Sequence, residues 1–312
     1  MIKESMDVLE QFPVRKSKKQ KAAFREAAAA FAQAQGYTTK TERGSYGATN
    51  LIIGDPSQAK YLVTAHYDTC ARLPIPNFVT PCNFWMFLLY QLAMTAVMFG
   101  PVFAAVFAVR HYFGSVYAFA TLYLCLLTVI YLMYAGPSNK HNANDNTSGV
   151  VALLETAKNL PVQFRSQVCF VLFDLEEAGL VGSSAYAKAH KAEISKQTVL
   201  NLDCVGDGET FVLFPTAKLK KDSEKLQLLE KHCKESLGMP VHLHKKGFSY
   251  YPSDQARFPY GVGICALRKH KRIGYYMGRI HTPRDTVLEE KNIKALSAWI
   301  LSVFASEIKE RK

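Results

Sequence analysis

Residues 168–179 read Val-Cys-Phe-Val-Leu-Phe-Asp-Leu-Glu-Glu-Ala-Gly, six apolar residues running into an acidic turn. An apolar run of that length, bounded by turn residues, fits a strand covered on both faces, as the strands of parallel sheets are. Gly179 then opens a helical pattern that continues to His190. The same alternation recurs on either side. Strand runs are expected at Asn50–Ile53, Tyr61–Ala65, Val199–Asp203, Phe211–Phe214 and Gly263–Leu267. Helical patterns are expected at Lys18–Gln35, Ser148–Leu160, Ser223–Ser236 and Glu289–Ile308. Strands alternating with helices predict an α/β three-layer sandwich around a mixed, mostly parallel sheet.

One stretch interrupts this order. Phe84–Val109 and Tyr112–Tyr134 contain no charged residue, and only Arg110 and His111 separate them. Each half exceeds the about 20 apolar residues that a helix needs to cross a bilayer. Neither shows the polar face of a surface helix. An inserted transmembrane helical hairpin over 84–135 is expected, dividing a catalytic domain into 1–83 and 136–312. Gly100-Pro101 should kink its first helix. Two spans return the chain to the side it left, so both parts of the catalytic domain lie on one face. That face is expected to be cytoplasmic, because the N-terminus is polar and shows no signal peptide.

The 312 residues suffice for one large domain or two modest ones, and the formal net charge is +12. The basic residues gather in Arg15–Lys21 and Lys218–Lys246 without interleaved aromatics, which fits lipid headgroups better than nucleic acid. Seven scattered cysteines with no Cys-x-x-Cys pair speak against a disulfide framework and a zinc knuckle. No Gly-x-Ser-x-Gly elbow is present, which disfavours a serine hydrolase.

Five segments concentrate metal-ligand side chains at strand ends or helix starts, where open α/β sheets place their sites. They are His66-Tyr67-Asp68, Asn144-Asp145-Asn146, Glu176-Glu177, Asp203-Cys204, and His281-Thr282-Pro283-Arg284-Asp285. In an extended chain His66 and Asp68 share a face, and such a carboxylate commonly orients the imidazole. Asp145 could bridge two metals, and adjacent glutamates can divide ligation and general-base work between them. Cys204 follows Asp203 and is expected to point away from the metals, packed in the core.

In this order the segments resemble the family twenty-eight metallopeptidases, dizinc aminopeptidases related to glutamate carboxypeptidases and glutaminyl cyclases. The resemblance covers about Asn50–Asp68 and Asn142 to the C-terminus. It implies two zinc ions: one held by His66, Asp203 and a shared Asp145, the other by Glu177, His281 and the same Asp145. It implies Glu176 as general base and Asp68 as support for His66. Ser253-Asp254-Gln255 with Phe258 resembles a segment near the family's substrate pocket, where His commonly replaces Gln255. Asp254 and Tyr276 are therefore expected to contact substrate, and Tyr250, Tyr251 and Tyr275 join Tyr276 as candidates to assist the oxyanion. The expected activity is exopeptidase, most simply aminopeptidase, on short, leader or membrane-associated peptides. The alternatives are a glutaminyl-cyclase-like acyltransferase, which needs one zinc, and an inactive membrane scaffold or receptor. A transporter would require an oligomer, since two spans make no pore. Self-association through the hairpin's Gly and Ala positions is a further expectation.

Overall fold

The computed structural model describes residues 2–73, 77–234 and 236–309. Its centre is a nine-stranded mixed sheet in the order β1-β2-β4-β3-β5-β8-β6-β7, with β9 paired to β8. The strands are β1 (Thr39–Arg43), β2 (Thr49–Ile53), β3 (Tyr61–His66), β4 (Val168–Phe173), β5 (Thr198–Leu202), β6 (Thr210–Pro215), β7 (Val241–Leu243), β8 (Gly261–His270) and β9 (Gly274–Tyr276). The central four, β4, β3, β5 and β8, are mutually parallel, while β1, β2 and β6 run antiparallel to their inner neighbours.

The apolar strand runs are buried on both faces, with alternate residues serving different layers. Val63, Ala65, Phe170, Leu172, Leu200 and Leu202 join one core cluster. Their neighbours Leu62, Cys169, Val171, Phe173 and Val199 join another, together with Tyr186 and Phe258. The first face is covered by α2 (Lys18–Ala34), α5 (Gly149–Asn159) and α9 (Glu290–Lys309); the second is covered by α6 (Val181–Ala189). α2 begins where Ser17 and Gln20 form a reciprocal capping box. It ends before Gly36, whose φ of 86° a side chain would resist.

The remaining helices are α1 (Asp7–Gln11), α7 (Lys191–Ile194), α8 (Ser223–Lys231) and the pair α3 (Phe84–Phe113) and α4 (Ser115–Tyr134). α3 and α4 pack on each other through a turn at Gly114, with Val102 and Ala118 buried between them. Both are long and apolar enough to cross a membrane, and few of their side chains are buried. α3 continues as one helix across Pro101. The chain enters and leaves this pair through a narrow neck. Ala71 bridges Ser138, Arg72 N donates to Pro137 O (2.8 Å), and Asn139 N donates to Cys70 O (3.2 Å).

Candidate metal centre

The register of the parallel strands gathers the site. His66 ends β3 beside Phe173, the last residue of β4. Glu176 and Glu177 therefore follow at the same edge of the sheet, and Asp203 leaves β5 next to them. Asp145 comes from the turn before α5, and His281 from the loop beyond β9. All five expected ligand residues and Glu176 line one cleft of about 270 Å³.

Asp145 stands between two groups. Its Oδ1 lies 3.4 Å from His66 Nε2, and its Oδ2 lies 2.9 Å from His281 Nε2. On the first side Asp203 Oδ1 is 3.7 Å from His66 Nε2; on the second, Glu177 Oε2 is 3.4 Å from His281 Nε2. Ligand atoms sharing a tetrahedral zinc with bonds of about 2.0–2.1 Å stand about 3.3 Å apart. The donor set therefore fits a cation on each side of Asp145. Among the described residues the buried Asp203 Oδ1 and Glu177 Oε1 have no hydrogen-bond partner, which leaves them as donors for a cation.

The electrostatics agree. Burial pushes the Glu177 carboxyl up to about 7, helped by Asp145 and opposed by His281. Burial also pulls the His281 ring down, but Glu177 and Asp145 outweigh it and raise the imidazole to about 9. Glu176 is held well above the usual carboxylate range, first by burial and then by Asp254, Glu177 and Asp203. So many carboxylates in one dry place are tolerable when positive charge is bound among them.

Backbone hydrogen bonds fix the ligand segments. Asp285 Oδ1 and Oδ2 accept from the backbone N–H of Asn144 (2.7 Å) and Asp145 (3.0 Å). Asn144 Oδ1 accepts from the N–H of Gly206 and Asp207. Asn146 Oδ1 accepts from Cys204 N, and its Nδ2 donates to Leu202 O. These asparagines staple the Asp145 segment to the Asp203 segment. The Asp68 carboxylate accepts from the N–H of Glu176 (3.0 Å) and Glu177 (3.3 Å). Its own carbonyl, 3.2 Å from His66 Nδ1, is the nearer partner of that imidazole; the carboxylate Oδ1 is at 3.5 Å. Asp68 thus supports His66 mainly through its main chain and spends its side chain on the glutamate turn.

Arg15 reaches the same place from the N-terminal segment and is fully buried. Its Nε donates to Tyr67 O (2.5 Å), and its Nη1 to Phe12 O (2.5 Å) and Thr147 Oγ1 (3.1 Å), joining the His66 and Asp145 segments. Burial draws its pKa down to about 10, against the pull of Asp68 and Asp145. Replacing Arg15 by Met is expected to lower the unfolding free energy by about 3–5 kcal/mol, because these acceptors are left buried and unpaired. A thermal melt within a degree or two of wild type would refute that.

Two expectations need correction. Cys204 is packed in a core cluster as expected, but it does not point away. Its φ of 55° breaks the strand alternation, so its thiol faces the cleft and lies within 4.8 Å of ligand atoms of Asp145 and Asp203. Asp254 is fully buried behind the cleft wall, where burial raises its carboxyl to about 7, and it does not line the cleft. Tyr276 sits on the short edge strand β9 and packs against Phe78 (5.7 Å), which itself lines the cleft. Of the four candidate tyrosines, Tyr250 and Tyr251 border the cleft, and Tyr251 OH donates to Asp203 O (3.0 Å).

The contributions of Arg15, Asp285 and Cys70 were not drawn from the sequence. Asp285 stood in the quoted His281 segment, four residues after the ligand, and that proximity was the available signal. The Cys70 thiol lies within 4.8 Å of ligand atoms of Glu177 and His281. It borders a second recess of about 290 Å³ that reaches these two residues and Lys16.

Residues 129–303, more than half of the chain, match the pattern that describes Peptidase family M28. The chain belongs to this family. No curated protein matches it. Among solved structures, this M28 chain is similar to a Porphyromonas gingivalis glutaminyl cyclase, with a TM-score of 0.61 and 16% identity over 97% of both chains. It is similar to a Zn-dependent exopeptidase from Parabacteroides distasonis, with a TM-score of 0.59 and 15% identity over 96% of this chain and 94% of that one. The Legionella pneumophila LapA aminopeptidase aligns with a TM-score of 0.58 and 16% identity, over 98% of this chain and 71% of that one. At these identities the likeness shows a shared fold. Membership of M28 makes the chain a zinc peptidase-like protein, and the geometry above is where its zinc would be held.

Proposed function

We propose that this protein is a dizinc aminopeptidase anchored in a membrane by α3 and α4, trimming N-terminal residues from peptides. The observation that carries this is Asp145, whose two oxygens face separate His-carboxylate pairs at 3.4 and 2.9 Å. His66, Asp203 and Asp145 would hold one zinc; Glu177, His281 and Asp145 would hold the other. Bound there, zinc supplies Lewis-acid polarisation of the scissile carbonyl and acidifies water. The rest falls to the chain's own groups. Glu176 takes a proton from the attacking water as its oxygen joins the carbonyl carbon. The C–N bond then breaks, and Glu176 passes that proton to the departing amine. The carboxylate-rich end of the cleft suits the substrate's α-ammonium group, which favours cleavage next to the N-terminus.

A single helix pair returns the chain to its starting side, and the chain's excess of Lys and Arg favours the cytoplasmic face for the catalytic domain. The decisive experiment measures zinc in detergent-purified protein and analyses digests of a peptide library. Two zinc ions per chain and stepwise release of N-terminal residues are expected. Loss of ammonia from N-terminal glutamine, with no amino acid released, would instead establish a cyclase. Folded protein with neither zinc nor cleavage would mark a binding protein.

A further inference from the structure

The two long helices differ by ten residues, 30 against 20. Since they are antiparallel and joined by Gly114 alone, the first ten residues of α3 extend past the end of α4, by about 15 Å at 1.5 Å per residue. Met94 and Met133 meet in one recess where the overhang begins. The overhang lies on the catalytic domain. Phe84 and Phe87 pack on Phe248 at 5.3 and 5.5 Å, Phe87 packs on Tyr250 at 4.7 Å, and Tyr90 packs on Phe78 at 6.0 Å.

Phe87 and Gln91 line the same cleft as the metal-ligand residues. Steps of three and four residues carry that helix face onward to Met94 and Met98. These two, with Leu73, Val129, Leu132 and Met133, line an apolar recess of about 380 Å³. Leu73 also ties the recess to the metal centre, because its N–H donates to His281 O (3.1 Å). Gln91 is the one amide side chain between Phe84 and Tyr134. A polar group in an otherwise apolar membrane helix usually serves a functional cavity, and this one faces the cleft.

We infer that the face formed by Phe87, Gln91, Met94 and Met98 is a substrate track. It holds the residues that follow the scissile bond of a peptide with an apolar N-terminal segment, presented from the bilayer surface. This rests on the aminopeptidase activity proposed above. The Gln91 amide, donor and acceptor at once, matches a peptide unit of the bound chain. The methionines adapt to apolar side chains of differing shape. From Phe87 to Met98 the helix rises about 16 Å, which an extended peptide spans in about five residues.

The test uses the full chain in phospholipid vesicles and peptides beginning with Leu, followed by either one or six apolar residues. The long peptide is expected to show kcat/KM about tenfold or more above the short one, the difference lying in KM. In Gln91→Leu and Met94→Trp that ratio is expected to fall towards one, with zinc content and melting temperature retained as evidence of folding. Wild type that cleaves both peptides equally, or variants that keep the full ratio, would overturn the track while leaving the aminopeptidase in place. Wild type that releases no amino acid from either peptide would overturn the activity and the track with it.

Discussion

Glu176→Gln is expected to keep its zinc and lose turnover by roughly 10²–10⁴-fold, the usual contribution of a positioned general base. Gln has the size of Glu but cannot accept a proton from water. The backbone of residue 176 is held independently of its side chain, by the Asp68 carboxylate at 3.0 Å, so the turn should survive the change. Asp145, His66, Asp203, Glu177 and His281 remain to bind metal. Zinc analysis beside steady-state kinetics separates the two effects. Turnover within tenfold of wild type would remove Glu176 from the role of base.

Asp145→Ala should act more broadly. It deletes the side chain that, among the described residues, is paired with both histidines, leaving His66 with Asp203 and His281 with Glu177. Each pair then lacks its third donor. We expect zinc content below one ion per chain and activity indistinguishable from background. Zinc also stabilises whatever folded state binds it, by about 2.7 kcal/mol at a hundred times its dissociation constant. Wild type should therefore melt at higher temperature as zinc is added, and Asp145→Ala should not. Asp203→Ala, which removes a donor from one pair alone, should keep part of that shift. An undiminished zinc response in Asp145→Ala would contradict the bridging arrangement.

The layered α/β architecture was legible because its central strands are apolar and its helices are periodic, as at Val168–Phe173 and Gly149–Asn159. The short outer strands were not. β1 (Thr-Lys-Thr-Glu-Arg) is polar on both faces, while β7 and β9 have three residues each, too few to show a period. The metal-ligand types were legible because they fall where apolar runs end. What surrounds them was less so. Arg15 lies more than fifty residues from Tyr67 in sequence, and only the fold brings its guanidinium to that carbonyl. The side chain of Cys204 was misplaced because strand alternation was carried one residue too far, into a left-handed residue. Leu175 and His281 share that backbone region, at φ 55° and 59°. Non-glycine residues of this kind concentrate where a site demands a particular side-chain direction.

The neck at Cys70–Arg72 and Pro137–Asn139 gives the chain a property its linear order hides. Between these points lie some sixty residues, yet their ends meet within hydrogen-bonding distance, so the hairpin is a side branch and not a link between two halves. Lengthening a closed loop costs little, about 0.6 kcal/mol per doubling. The branch springs from the strip of chain joining His66 to Asp145, and its longer helix also rests on Phe78, Phe248 and Tyr250, so it meets the candidate metal centre both at its root and along one side.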